Sequence, residues 1–196
     1  MTDAKPLRAD AKPLRADARR NRDALIARAR ALFAEGCFDL RFDDFATLAG
    51  VGTGTLYRHF PTREALAEAV YREELGALCD RARELQATLP ADEALASFLR
   101  GFVAHLHAHE GLARTLSTLM ATHSGVLAEG AEALGRAVAD LLAAAVRAGT
   151  VRDDVGVGAI MMALQGICAA YGHPAYRPDA DGVVTLVLAG LRPPAR

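Results

Sequence analysis

Two short apolar segments joined at Gly50-Val51-Gly52 constrain this chain more tightly than anything else in it. Phe42 to Phe60 reads FDDFATLAGVGTGTLYRHF. Phe45, Ala46 and Ala49 put small or apolar side chains on the inner face of a first helix, running from Phe42 to Ala49. Gly50 permits a sharp turn, Val51 fills the angle between helices, and Leu56 anchors a second helix, Thr53 to Phe60, against the first. Thr53 is a competent N-cap for that second helix. Its outer face offers Thr55, Tyr57, Arg58 and His59, groups that reach base edges and phosphates. The spacing predicts a helix-turn-helix, with the motif at 42–60. Gly50-x-Gly52-x-Gly54 does not read as a phosphate loop, because such a loop follows a β-strand and FATLA is too short to be one.

Helical periodicity continues on both sides. Leu25, Ile26, Ala29, Leu32 and Phe33 recur at three- and four-residue steps from Ala18 to a C-cap at Gly36. Pro61 suits the first turn of a long helix reaching Leu85, with Tyr71, Leu75, Leu78, Ala82 and Leu85 on one stripe. Beyond Pro90, Leu95, Phe98, Leu99, Phe102 and Leu106 form a stripe ending at Gly111, and a shorter helix covers Leu112 to Thr122. Leu127, Ala131, Leu134, Val138, Leu141 and Ala145 then lead to Gly149. The expected fold class is all-α: an N-terminal three-helix helix-turn-helix DNA-binding domain and a C-terminal helical domain, about nine helices in all.

Two segments near the C-terminus lack a polar face. From Val155 to Tyr171 only Gln165 is strongly polar, and from Val183 to Leu191 only Thr185. The run VVTLVL has strand-like composition, but no second strand exists to pair with it, so it reads as helix. A helix apolar all round needs cover on every side. A second copy of the chain supplies it, so the expectation is a homodimer through Val155–Tyr171 and Asp181–Leu191, with Met161, Leu164, Cys168, Val184 and Leu188 at the interface.

The N-terminus differs from the rest. DAKPLRA at 3–9 is repeated at 10–16, and its two prolines argue against a continuous helix. Residues 1–18 therefore read as a flexible basic arm, ahead of the helix-turn-helix domain at 19–78 and a helical, dimerising domain at 79–196. Residues 1–30 hold nine Lys/Arg against four Asp, whereas from residue 91 onward eight Arg face ten acids. A basic head on a mildly acidic body suits one end meeting a polyanion. Cys37, Cys79 and Cys168 are too scattered for a disulfide framework or a zinc site, which fits a reducing cytoplasm. No apolar run approaches membrane-spanning length, and no signal-peptide core is visible, so no membrane partner is expected.

AGVGTGTLYRHFPTREAL resembles the signature of the tetracycline-repressor (TetR) family of bacterial regulators, and the resemblance extends from Arg19 to Leu78. It implies that Thr53 to Phe60 is the recognition helix, with Tyr57 and His59 on phosphates, Thr55 on a base or phosphate, and Phe60 mainly core. Gly54 and Arg58 belong to the same DNA-facing set, and Thr62 and Arg63 would meet the backbone at the start of the next helix. Where the family has a capping Ser or Thr before its second helix, this chain has Leu40-Arg41. Arg41 then supplies the phosphate contact, and the cap is lost or passes to Asp39 or Asp43. The resemblance further implies a repressor that binds a palindromic double-stranded operator as a dimer and is released by a small-molecule effector, with the fourth helix as the lever.

The effector pocket is expected among helices starting near Glu93, Leu112, Gly125 and Val155, lined by Phe102, His105, Leu116, Met120, Met162 and Gln165. A solid, ligand-free architectural DNA-binding dimer is the alternative, and polar groups such as Gln165 and His105 inside the domain favour the cavity. His105 and His109 are one helical turn apart, with His107 on the opposite face; a metal needs a third ligand, sought at Glu110 or His123. No metal site and no cofactor is assigned on that basis. No nucleophile–base–orienter spacing or carboxylate pair points to an enzyme.

Overall fold

The computed structural model describes residues 11–37, 40–109, 124–171 and 173–193, and every regular element in them is helical. They are α1 (Ala11–Ala34), α2 (Phe42–Leu48), α3 (Thr53–His59), α4 (Arg63–Thr88), α5 (Ala91–Ala108), α6 (Ser124–Arg147), α7 (Val157–Tyr171) and α8 (Ala180–Gly190), with a 3₁₀ segment, Pro174–Asp179, before α8. The helix expected over Leu112 to Thr122, and with it Leu116 and Met120, lies outside the described residues. So do residues 1–10, Asp39, Glu110 and His123.

Three of the helix ends share one cause. Gly36, Gly50 and Gly149 have φ of 73°, 71° and 70°, the left-handed region that costs an L side chain energy. At α2 the Gly50 amide donates to the Thr47 carbonyl (3.1 Å) and Val51 to Ala46 (2.9 Å), satisfying carbonyls that the helix leaves open. The same pair of bonds closes α1 at Gly36-Cys37 and α6 at Gly149-Thr150.

The helix starts correct the expectation in four places. α1 begins at Ala11, not Ala18, because Pro13 falls in its first turn, where a missing amide breaks no internal bond. Thr53 does not cap α3; Gly52 occupies that position and no side chain bonds there. The cap lost at Arg41 is compensated by Asp44, whose Oδ2 accepts from the Arg41 amide at 3.0 Å. Pro61 precedes α4 rather than opening it; Thr62 is the N-cap, its Oγ1 accepting from the Ala65 amide at 3.2 Å.

Two cores form, and α4 belongs to both. Leu25, Ile26, Phe33, Phe45, Leu56, Phe60 and the α4 residues Leu66 to Val70 close the N-terminal head. Ala82 and Leu85, further along α4, enter a second core with Leu95, Phe98, Leu99, Val138, Leu141, Ile160, Leu164 and Val184. Val126 and Leu127 at the start of α6 also rest against the head's core. α4 is thus continuous from one core to the other. No described helix is long and apolar enough to cross a membrane.

Candidate DNA interface and ligand cavity

The turn at Gly50 lays α3 across α2 so that Leu56 is fully buried and Phe60 nearly so. Helical geometry then turns Thr53, Gly54, Tyr57 and Arg58 outward, and all four are exposed. Thr55 and His59 are half-buried at the edges of that face, and Arg41 and Thr62 stand exposed at its flanks. Tyr57 is positioned from the side: its ring meets Phe42 edge-on at 5.4 Å. A hydrogen bond to the Asp43 carboxylate, with burial and the Asp43 charge, pushes the phenol above its ordinary value. Arg63 turns inward instead. Its guanidinium donates to the Leu40 carbonyl and lies over the Phe45 ring, 5.7 Å from the centroid, bracing the approach to α2.

In the body, α4, α5, α6 and α7 leave a cavity of about 360 Å³ between them, near the smallest size that takes a drug-like molecule. Each helix gives four residues to its lining: Tyr71, Glu74, Leu75 and Leu78 from α4; Phe102, His105, Leu106 and His109 from α5; Leu127, Gly130, Ala131 and Leu134 from α6; Met161, Leu164, Gln165 and Cys168 from α7. Gly130 is there for close approach. A Cβ on it would collide with the Leu75 side chain and come within 2.6 Å of the Tyr71 hydroxyl.

One end of this mostly apolar cavity is polar. Glu74 is the only buried charged residue among those described, 7% exposed. Its Oε1 pairs with Arg30 of α1, and its Oε2 lies 3.0 Å from His105 Nε2. The His105 and His109 rings face each other at 4.7 Å between centroids. Burial alone would raise the Glu74 carboxyl, but the His105 hydrogen bond, the Arg30 charge and both imidazoles outweigh it and hold it below its ordinary value. Burial, then the neighbouring His105, lowers His109, against the pull of Glu74. Burial, with the neighbouring Cys168, also pushes the Tyr71 phenol above its ordinary value.

Of the residues expected to line an effector pocket, Phe102, His105 and Gln165 are among those bordering this cavity. Met162 is not: it is 75% exposed, and Met161 lines the cavity in its stead. The residues expected at a dimer interface lie in differing surroundings. Leu164 and Val184 are buried in the chain's own core, Leu188 packs against that core, and Met161 and Cys168 line the cavity. The apolar side chains turned outward on α7 and α8 include Ala159, Met162, Cys168, Ala169, Leu186 and Ala189. α7 has no polar stripe to mark an outer side, so packing rather than sequence chose which methionine faces the cavity. Tyr71, Glu74, His109 and Arg30 were missed as site residues. A signal existed for Glu74: it shares the apolar α4 stripe of Tyr71 and Leu78, where an unpaired acid is costly.

Comparison with known proteins agrees with this architecture. Residues 25–70 match the profile of bacterial regulatory proteins of the tetR family, and residues 90–193 match the SbtR-like transcriptional regulator C-terminal domain. A TetR transcriptional regulator from Streptomyces coelicolor is 40% identical, with a TM-score of 0.68 over 89% of this chain and 99% of that one. A TetR regulatory protein from Mycobacterium vanbaalenii is 38% identical, with a TM-score of 0.67 over 92% and 100%. The HTH-type transcriptional repressor KstR2 of Mycolicibacterium smegmatis is 34% identical over 91 residues, 45% of this chain and under half, 44%, of that repressor.

Proposed function

Because this chain belongs to the TetR family of bacterial transcriptional regulators, we propose that it is a cytoplasmic repressor that binds a near-palindromic operator as a homodimer and lets go when a small molecule fills the body cavity. The observation that carries this reading is the position of α4, which closes the head's core at Leu66 to Val70 and walls the cavity at Tyr71 to Leu78. A ligand shifts an equilibrium only by binding one conformation better than another. A cavity walled by the head's own last helix provides that difference, since a filled cavity displaces the helix that carries the recognition surface.

Contacts to DNA fall to Thr53, Gly54, Thr55, Tyr57, Arg58 and His59 on α3, with Arg41 and Thr62 flanking. Arg63 serves mainly to brace α2. The dimer forms through the outward face of α7 and α8, at Met162, Ala169, Leu186 and Ala189. The effector has an apolar body and a head group that hydrogen-bonds at the Tyr71, Glu74, His105 and His109 end, because Gln165 is the one strongly polar side chain in the rest of the described lining.

Operator fragments selected from random DNA, followed by a compound screen for release of the bound fragment, test the proposal. A near-palindromic site and a compound that both releases it and raises the melting temperature of the free protein support it. Operator binding that no cavity-filling compound alters supports an architectural DNA-binding dimer instead.

A further inference from the structure

We propose that Glu74, His105 and His109 form a binding site for a divalent transition-metal cation of the zinc type at the polar end of the cavity. Two imidazoles one turn apart on the last turn of α5 converge with a buried carboxylate from α4, and one ligand atom from each lies within 4.8 Å of the others. Around a tetrahedral zinc with bonds of ~2.0–2.2 Å, ligand atoms stand ~3.4 Å apart. The Glu74–His105 spacing is already 3.0 Å, so small side-chain rotations by Glu74 and His109 complete the triad.

The donor set selects the metal class. Two imidazole nitrogens and one carboxylate suit Zn²⁺, Co²⁺ or Ni²⁺, whereas Mg²⁺ and Ca²⁺ require mostly oxygen. Three protein ligands leave a fourth position, and His105, His109 and Glu74 all line the cavity, so that position opens onto it. The site resembles those that keep a coordination place for water or a ligand rather than closed structural sites. His107, on the other side of α5, sits 3.7 Å from Asp181 and takes no part.

Occupation also bears on the head. Arg30 shares the Glu74 carboxylate, and a dication on that carboxylate repels a guanidinium. Metal binding and the Arg30–Glu74 pair are thus in competition.

Cobalt titration of the tag-free, chelator-treated full chain, followed by its visible absorption, needs neither operator nor effector and is independent of the regulatory reading. The expectation is one Co²⁺ per chain with bands of tetrahedral intensity, displaced by Zn²⁺. His109→Asn and Glu74→Gln should each weaken binding by at least about 10–100-fold, a loss that even outer partners of a metal cause. His107→Asn should leave it unchanged, and Arg30→Met should tighten it. Circular dichroism of each variant confirms that it is folded. Absence of stoichiometric binding, or binding that survives His109→Asn but not His107→Asn, overturns the site.

Discussion

Arg30 of α1 and Glu74 of α4 form an ion pair across the joint between the head and the body, tying a cavity-lining carboxylate to a helix of the DNA-binding domain. The arginine side chain is 43% exposed and the glutamate side chain 9%, so the pair is neither a surface bridge nor a fully buried one.

Removing the arginine should therefore cost something between those limits. Arg30→Gln leaves a buried carboxylate with His105 as its remaining partner, and a loss of about 1–3 kcal/mol is expected. Urea unfolding checks it, as a lower midpoint at unchanged slope. The same variant should bind operator but respond less to effector, since the joint is loosened. Unchanged stability and unchanged response together would show that the pair is ornamental.

Tyr57 is held by Asp43 and Phe42 before any DNA arrives, which suits a fixed backbone contact. Tyr57→Phe and His59→Ala should weaken binding to operator and to unrelated DNA alike. Thr55→Val should instead cost about 1–3 kcal/mol of discrimination at one operator position. Footprinting on a set of mutated operators separates the two patterns. Uniform loss for Thr55→Val, or sequence-selective loss for Tyr57→Phe, reverses the roles.

Gly130 allows α6 to lie against Tyr71 and Leu75 of α4, and a methyl group there has no room. Gly130→Ala should destabilise by about 1–3 kcal/mol through overpacking, because both neighbours must swing toward the cavity. Thermal unfolding reads the first effect, and weaker effector binding reads the smaller cavity. Gly125→Ala, where the added methyl meets nothing, is the control.

Leu186 and Met162 are 74% and 75% exposed, an unusual state for large apolar side chains. Met162→Arg and Leu186→Arg should yield folded monomers in sedimentation experiments. Leu164→Arg should fail differently, by unfolding, since Leu164 is 2% exposed in the chain's own core. Dimers that persist in both surface variants would place the interface elsewhere.

What was legible in the sequence was local. A glycine at a left-handed position announces itself at Gly36, Gly50 and Gly149, because few other residues accept that backbone. Apolar residues at three- and four-residue steps marked the inner faces of α1, α5 and α6, because an amphipathic helix carries its own rotational phase. The helix-turn-helix followed from spacing inside one short stretch, Phe42 to Phe60.

Tertiary structure decided the rest. The rotation of α7, which exchanged Met161 for Met162 in the cavity, depends on what packs against each side of a helix that is apolar all round. The gathering of Glu74 with His105, His109 and Arg30 depends on how α4 crosses α5 and α1, so residues far apart in the chain meet at one point. Among the described residues, the carboxylate that meets the histidine pair comes from a neighbouring helix, as Glu74 of α4. Sequence periodicity reports which way a side chain points from its own helix axis; only the packing of axes determines what it points at.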